Sequence, residues 1–519
     1  MKQSKPIYTF DTETDPFSHG RIPTPFLCGI YDGERMRREW GPNCMERMRK
    51  RIEKLPPGIV YVHNGGRFDF FYMLDWFDGK VSITASRIIK AFGCGHEWRD
   101  SAAVYPMPLK SYKKKEIDYA LMEESEREKH KDEIVEYFDS DCIYLHELVT
   151  RIRSEFGDTL TIGSIAMKEL KKFHKFECLT SVEDSEVRDR FYFGGRVQCF
   201  EKGILTPKES ESFYVFDINQ SYPTSMRNYK HPVSSPHFRG GDVSDNTYFV
   251  TAYGYSHGCF PKRGIDGDLC FPVGLDTFNT TIHEYRAALE TGQFELRCMI
   301  QCVDFDVAIS FDEFIDHWHG MRKAEQLKGD KVWSDFYKRL CNSAYGKFPQ
   351  NPENYFDWII KPLGETPNGY ELDYMIGNVC LWKKPSEDLT RYNVATGASI
   401  TGASRSFLIR ALATAKRPVY CDTDSIICEG MGPGADIHDT KLGCWKLENY
   451  GDTLAVAGRK LYAIFRQGEC VKMASKGVRL TSQQIMQVAS GETVTWKKDA
   501  PTFSLNGGTR FLQRNIRMT

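Results

Sequence analysis

What this sequence lacks excludes several protein classes. Its sixteen cysteines include no C-x-x-C pair, and the nearest approach is Cys298 with Cys302. Structural zinc and disulfide frameworks need clustered spacings, so reduced, buried thiols are expected instead. No run of about 18 apolar residues occurs, which leaves no candidate membrane span. The opening stretch, Met1-Lys-Gln-Ser-Lys-Pro-Ile-Tyr-Thr-Phe10, has no apolar h-region, so no signal peptide is expected. The expected location is therefore the cytoplasm of the cell that makes the chain. Internal repeats and low-complexity tracts are also missing. What is present is core material: 33 Phe, 26 Tyr and 9 Trp within a 41% hydrophobic composition. That excludes wholesale disorder. At roughly 100–200 residues per domain, 519 residues make three to five structural units.

The net charge of −1 hides a division. From residue 455 onward there are eleven Lys/Arg against Glu469, Glu492 and Asp499, a balance of +8 that leaves −9 for the rest. A basic end beside an acidic body suits a polyanionic partner and carboxylate-rich metal sites. Ile7–Phe10, Ile59–Val62 and Phe213–Phe216 read as short buried strands. The charged stretch Lys113–Tyr144 reads as helical, and a mixed polar helix is expected around 155–190. Phe311, Phe314, Ile315 and Trp318 fall at i, i+3, i+4, i+7, which predicts an amphipathic helix over 311–322. A second helix is expected over about 331–346. Residues 349–393, rich in Pro, Gly, Asn and aromatics, read as an insertion with its own strands. Val419–Ile427 alternates like a hairpin strand. The expected fold class is α+β, with an N-terminal α/β domain of about 155 residues.

Two carboxylate constellations stand out. In the first, Asp11 and Glu13 are two apart on a strand and share a face. Asp69 follows the second strand in His63-Asn-Gly-Gly-Arg-Phe-Asp69, and Tyr137 and Asp141 lie at i, i+4 on a helix. Such a set suits two hard divalent cations about 4 Å apart, the arrangement used for phosphodiester hydrolysis. In the second, Asp217 ends a strand in Asp217-Ile-Asn-Gln-Ser-Tyr222-Pro223. Tyr420-Cys-Asp422-Thr-Asp424-Ser425 would place Tyr420, Asp422 and Asp424 on one face of a strand. These aspartates suit two metal ions with a nucleoside triphosphate and a primer hydroxyl. Between them Lys338, Asn342 and Tyr345 share a helix face, able to present a cation and a flat ring.

Taken in order, D-x-E, H-N-(x)-F-D, Y-x-x-x-D, Y-x-G-G, D-x-x-x-x-Y-P, K-x-x-x-N-S-x-Y-G, Y-x-D-T-D-S and K-x-Y resemble the motifs of the family B DNA polymerases. They run from Asp11 to Tyr462. The short chain and two extra segments resemble the protein-primed branch found in phages, adenoviruses and linear plasmids. The resemblance implies an RNase H-like 3′→5′ exonuclease domain over 1–155 and a palm, fingers and thumb polymerase domain over 156–519. Within the latter it implies a terminal-protein-contacting insertion at 300–331, fingers at about 331–348, a template-enclosing insertion at 349–393, a catalytic hairpin at about 415–430 and a thumb at about 478–519.

By the same resemblance Asp11, Glu13, Asp69 and Asp141 bind the exonuclease metals and Tyr137 orients water. Thr14, Asn64 and Phe68 hold the frayed primer end. Asp217 and Asp424 bind the polymerase metals, with Asp422 beside them. Tyr222 stacks under the incoming sugar, Lys338 and Asn342 meet the triphosphate, and Tyr345 meets the nascent pair. Lys460 and Tyr462 meet the primer strand. Tyr192, Gly194 and Gly195 grip the template, while Thr401 and Arg405 match a DNA-binding T-x-x-x-R element. The implied cofactors are Mg²⁺ or Mn²⁺, two ions per active site. The implied partners are template and primer DNA, dNTPs and a terminal protein, with no membrane and with the chain a monomer. Two departures stand out: Gln220-Ser221 replaces the family's Ser-Leu, and an extra glycine lies between Asn64 and Phe68. Two rival readings are a DNA-primed or primer-independent polymerase of a mobile element and a silent nucleic-acid-binding remnant; seven intact carboxylates oppose the second.

Overall fold

Four hydrophobic residues in a row, Ile59–Val62, are all buried, as the centre of a parallel sheet demands. In the computed structural model this strand pairs in parallel with Ile7–Thr14 on one side and His96–Asp100 on the other. The structure describes residues 5–17, 20–113, 115–387, 392–498, 500–505 and 508–518. Residues 1–4 of the opening stretch, Lys114 of the charged stretch, 388–391 of the expected insertion, and 499, 506, 507 and 519 of the expected thumb lie outside the described residues.

Pro25–Tyr31 and Met36–Trp40 extend the sheet antiparallel on one side, Arg87–Gly93 and Gly79–Thr84 on the other. Phe10, Val60, Trp76, Phe77 and Trp98 form its core. The helix expected over Lys113–Tyr144 instead spans Lys131–Phe156. Upstream, the Asp118 side chain accepts the Ala120 N–H and closes a separate 3₁₀ turn, a local bond that competes with helix. The long helix lies on the sheet, with Thr9 Oγ1 donating to the Cys142 carbonyl at 2.8 Å. The single helix expected at 155–190 is two, Ile162–Phe173 and Ser181–Phe191, each started by a threonine cap.

The segment 349–393 does hold strands: Phe356–Pro362, Glu371–Ile376 and Val379–Pro385. They do not stand apart. Trp358, Ile359 and Ile360 pair with Val81, Lys80 and Gly79, producing one ten-stranded sheet. Ile360, Val379 and Leu381 enter the same core as Phe10 and Trp98. Gly79–Thr84 would otherwise be an open edge.

A second, five-stranded antiparallel sheet has the order Trp445–Gly451, Phe213–Ile218, Ser425–Cys428, Tyr420–Asp422, Val197–Cys199. Behind it runs Val394–Thr414, a helix of small residues buried along most of its length. Asp312–Leu327 and Lys331–Tyr345 form a helix pair. Trp318, Trp333 and Phe336 of that pair meet Phe156 of the long helix in one core. Residues 300–331, expected as an insertion, run through several elements of the fold. The first of them end the strand Phe294–Phe305 of a four-stranded sheet that begins at Pro236, Ala308–Ile309 is a short strand, and Asp312–Leu327 is the first helix of the pair. The apolar stripe at 311–318 buries against its partner helix, which is why this segment is core.

The C-terminal stretch is mainly strands. Ile485 and Val488 of the helix Ser482–Ala489 pack on Ala455, Ala457 and Ala463. The hairpin Thr502–Ser504/Gly508–Arg510 carries Phe503 onto the N-terminal domain, 5.4 Å from the Phe68 ring. The sixteen cysteines form no disulfide among the described residues, and ten of them are buried. Among the described residues no helix is long and apolar enough to cross a membrane.

Candidate active sites

Asp11 and Glu13 alternate with buried Thr12 and Thr14 on Ile7–Thr14, so both carboxylates face one side. The long helix delivers Tyr137 and Asp141 to the same place, where Glu13 and Asp141 both act on the Tyr137 hydroxyl. Asp69 opens the 3₁₀ turn Asp69–Tyr72, reached through Asn64 in the left-handed region (φ 61). The extra glycine of this loop has a physical reason. A Cβ on Gly66 would fall 2.0 Å from the Ile88 carbonyl oxygen, so only glycine lets the loop pass the neighbouring strand.

Burial raises the Asp11 carboxyl well above its usual range, and the charges of Asp69, Glu13 and Asp141 push it further. Asp11 retains some surface exposure, but protein surrounds its carboxyl closely enough for burial to dominate. Asp69 is 3% exposed, and burial lifts it to about 7. Its Oδ1 is buried without a hydrogen-bond partner. Phe68 packs edge-on against Tyr72 at 5.4 Å and near Phe17 at 5.5 Å. The Thr14 hydroxyl donates to the Asp15 carbonyl, and Asn64 accepts from Arg87 at 3.2 Å. A cleft of about 560 Å³ opens beside Asn64 and Asp141. Arg87 and Lys110, which also line it, are cations that sequence reasoning missed.

The second site lies on the five-stranded sheet. Asp217 pairs in register with Ser425, and the Ile218 N–H donates to the Asp424 carbonyl at 2.8 Å. The expected alternation of Tyr420, Asp422 and Asp424 along one strand does not hold. Tyr420–Asp422 ends, Thr423 turns through the left-handed region (φ 62), and Asp424 sits in the turn before Ser425–Cys428 returns. The turn delivers Asp424 to Asp217 and leaves Asp422 to a different partner. Lys460 Nζ grips both oxygens of Asp422. Its backbone N–H donates to the Tyr420 hydroxyl at 3.0 Å, and Tyr462 is buried 5.0 Å from the Tyr420 ring. Lys460 and Tyr462, expected at the primer strand, are thus held against the hairpin.

Burial lifts Asp217 to about 7, with the charges of Asp424 and Glu448 next, while Lys338 opposes. Burial lifts Asp424 to about 6, with Asp422 next. Glu448 was not foreseen. It is the extra residue of a bulge, between Leu447 opposite Phe216 and Asn449 opposite Val215, and it pairs with Lys472. An acid in an alternating strand gives no sign in sequence that a bulge re-aims it. Tyr222 and Tyr345 stack with ring centroids 4.0 Å apart and planes at 25°, beside Lys338 and Asn342 of the same helix.

Thr401 and Arg405 are corrections. Each is 2% exposed, too deep to meet DNA directly. Arg405 forms a two-pronged ion pair with Glu284 at 2.7 and 2.9 Å and donates to the Phe193 and Gly194 carbonyls at 2.6 and 2.8 Å. It therefore fixes the Tyr192–Gly195 segment from behind. A Cβ on Gly195 would meet Thr423 Oγ1 at 2.6 Å, so this glycine lets the segment press against the turn that carries Asp424.

Among the described residues no three Asp, Glu, His or Cys side chains already stand in a metal-ligating arrangement. The donors nevertheless suit hard divalent cations. They are oxygens, they repel one another when ionised, and one of them is buried and unpartnered.

Comparison with known proteins shows the family. Residues 87–427 match the family described as DNA polymerase type B, organellar and viral. The DNA-directed DNA polymerase of Enterobacteria phage PRD1 is 41% identical over 99% of this chain and 98% of its own length. The DNA polymerase of Bacillus phage phi29 is 28% identical over 56% of this chain and 52% of its own. A phi29 polymerase structure with primer-template DNA and incoming nucleotides superposes with a TM-score of 0.72 at 20% identity, covering 99% of this chain and 100% of that one. The chain belongs to the organellar and viral type B DNA polymerases, the protein-primed branch of family B.

Proposed function

We propose that the two carboxylate sites serve opposite reactions on one DNA primer: templated extension at Asp217 and Asp424, and 3′→5′ removal of the end at Asp11, Glu13, Asp69 and Asp141. The observation that carries this reading is the meeting of Asp217, on the strand Phe213–Ile218, with Asp424, in the turn before Ser425–Cys428, both raised by burial. Two Mg²⁺ or Mn²⁺ ions, when bound at such carboxylates, supply the charge that favours attack by a hydroxyl and departure of an oxyanion. Asp217 and Asp424 hold them at the sheet end, with Glu448 alongside. Lys338 brings positive charge to the triphosphate, Asn342 lies beside it, and the stacked Tyr222 and Tyr345 form a flat floor for sugar and base. Lys460 holds Asp422 and fixes the hairpin. In the N-terminal site the Tyr137 hydroxyl orients the attacking water. Asn64, Phe68 and Thr14, with Arg87 and Lys110, bind a single-stranded end in the cleft. Synthesis begins on a terminal protein, and the meander at 356–385 walls the template path so that a downstream strand must be displaced. The phi29 structure, which contains primer-template DNA and nucleotides, supports the substrate class.

The test is primer extension by Asp424→Ala. Losing one carboxylate should slow incorporation by about a thousandfold or more, while single-stranded DNA is degraded at the normal rate. Near-normal extension by this variant would refute the assignment.

A further inference from the structure

The loop between Asp217 and Tyr222 departs from its family's Ser-Leu pair, and each replacement has a partner. Ser221 Oγ lies 2.6 Å from Ser404 Oγ on the buried helix Val394–Thr414. Gln220 takes a left-handed backbone (φ 53, ψ 62) and reaches the opposite way. Its Nε2 donates to His319 Nδ1 at 3.3 Å. His319 sits half-buried on Asp312–Leu327, the helix paired with the one that carries Lys338.

An imidazole nitrogen that accepts a hydrogen bond has no proton, so the proton of this ring is on Nε2. His319 is thereby set as a donor. The charged groups facing it are Arg322, Lys323 and Asp316 of its own helix and Arg227 of Ser221–Asn228. Arg227 is spoken for by Asp316 at 2.6 Å. Arg322 has a buried Nε with no hydrogen-bond partner. A donor ring and a guanidinium with an unpartnered Nε–H, beside the loop that leads into Tyr222, suit an anion with several oxygens.

We propose that Gln220 and His319 form a nucleotide-positioning pair: Gln220 fixes the ring's tautomer, and His319 Nε2–H donates to an oxygen of the β,γ-phosphates of the incoming dNTP. The proposal rests on reading Asp217 and Asp424 as the synthesis site. No proton is transferred, and the bond is the same before and during the chemical step. Its loss therefore weakens nucleotide binding rather than the chemistry.

Steady-state incorporation on a fixed primer-template tests the pair. His319→Ala, Gln220→Ala and Gln220→Ser should each raise the KM for dNTP by about tenfold with kcat changed by less than about threefold. The double alanine variant should be no worse than His319→Ala. His319→Gln, which returns an N–H at similar reach, should recover most of the lost affinity. In the reverse reaction the KM for pyrophosphate should rise in parallel, while primer-template affinity and the dNTP-to-rNTP preference stay unchanged. A purely structural loop contact would move kcat or sugar preference and leave pyrophosphate alone. An unchanged dNTP KM in the three single variants, or a change confined to kcat, overturns the proposal. Asp424→Ala run alongside separates the two failures. If it still extends, the site reading is wrong; if it is inactive while His319→Ala keeps the parent KM, only the pair is wrong.

Discussion

At the scale of single residues, both sites rest on carboxylates kept where charge is unwelcome. Asp424 is raised by burial to about 6, above its unfolded value. The folded protein thus binds a proton there more tightly than the unfolded chain. This stability is fully present only below about pH 4, the unfolded value, and is lost as pH rises through about 6. Without divalent cations, Asp424→Asn should therefore melt about 5 °C higher than the parent at pH 8, a difference that vanishes near pH 4. Added Mg²⁺ should raise the parent's melting temperature more than the variant's; a variant less stable than the parent at pH 8 would contradict the reading. Tyr222 gives a second residue-scale expectation. If the ring, stacked on Tyr345, lies under the incoming sugar as proposed, it excludes a 2′-hydroxyl, and Tyr222→Val should admit CTP about tenfold or more readily relative to dCTP. An unchanged preference would place the ring elsewhere. Arg405 shows the limit of motif reading. T-x-x-x-R reads as DNA contact, yet the guanidinium is buried on Glu284 and two carbonyls. Arg405→Ala strands a buried carboxylate and should cost about 3–5 kcal/mol in denaturant unfolding. A loss below 1 kcal/mol would show that the pair is not holding the Tyr192–Gly195 segment.

At the scale of elements, what the sequence disclosed was local. The strands Ile7–Thr14, Ile59–Val62 and Phe213–Ile218, the helix pair, and the i, i+4 step from Tyr137 to Asp141 all follow from spacing a few residues wide. What it concealed depends on partners distant in the chain or on a single turn. Asp424 reaches Asp217 because Thr423 leaves the strand conformation, and period-2 alternation cannot register that. Glu448 reaches the same place through a bulge. The meander at 356–385 continues a sheet whose other strands all precede residue 101, a pairing with no local signature. It predicts that the meander stays docked. A disulfide joining Lys80→Cys to Ile359→Cys, opposite each other in register, should leave strand displacement and product length unchanged. If oxidation halts synthesis and reduction restores it, the segment must move to work.

For the whole molecule, the sequence showed two carboxylate centres and their order but not what joins the segments that carry them. The structure connects them twice, through the ten-stranded sheet and through Phe503, which reaches from the C-terminal hairpin to the Phe68 ring beside the first centre. Aromatic contact between segments more than 400 residues apart could not be read from composition or periodicity. The central claim is that one chain holds two independent sites acting on the same primer end. A 5′-labelled primer with a mismatched terminus, annealed to template and supplied with dNTPs and Mg²⁺, tests it most directly. The parent should trim and then extend to full length. Asp424→Ala should only shorten the primer, and Asp11→Ala/Glu13→Ala should fail to trim the mismatch while extending a matched primer normally. Loss of both activities in either folded variant, or full extension by Asp424→Ala, would contradict the account.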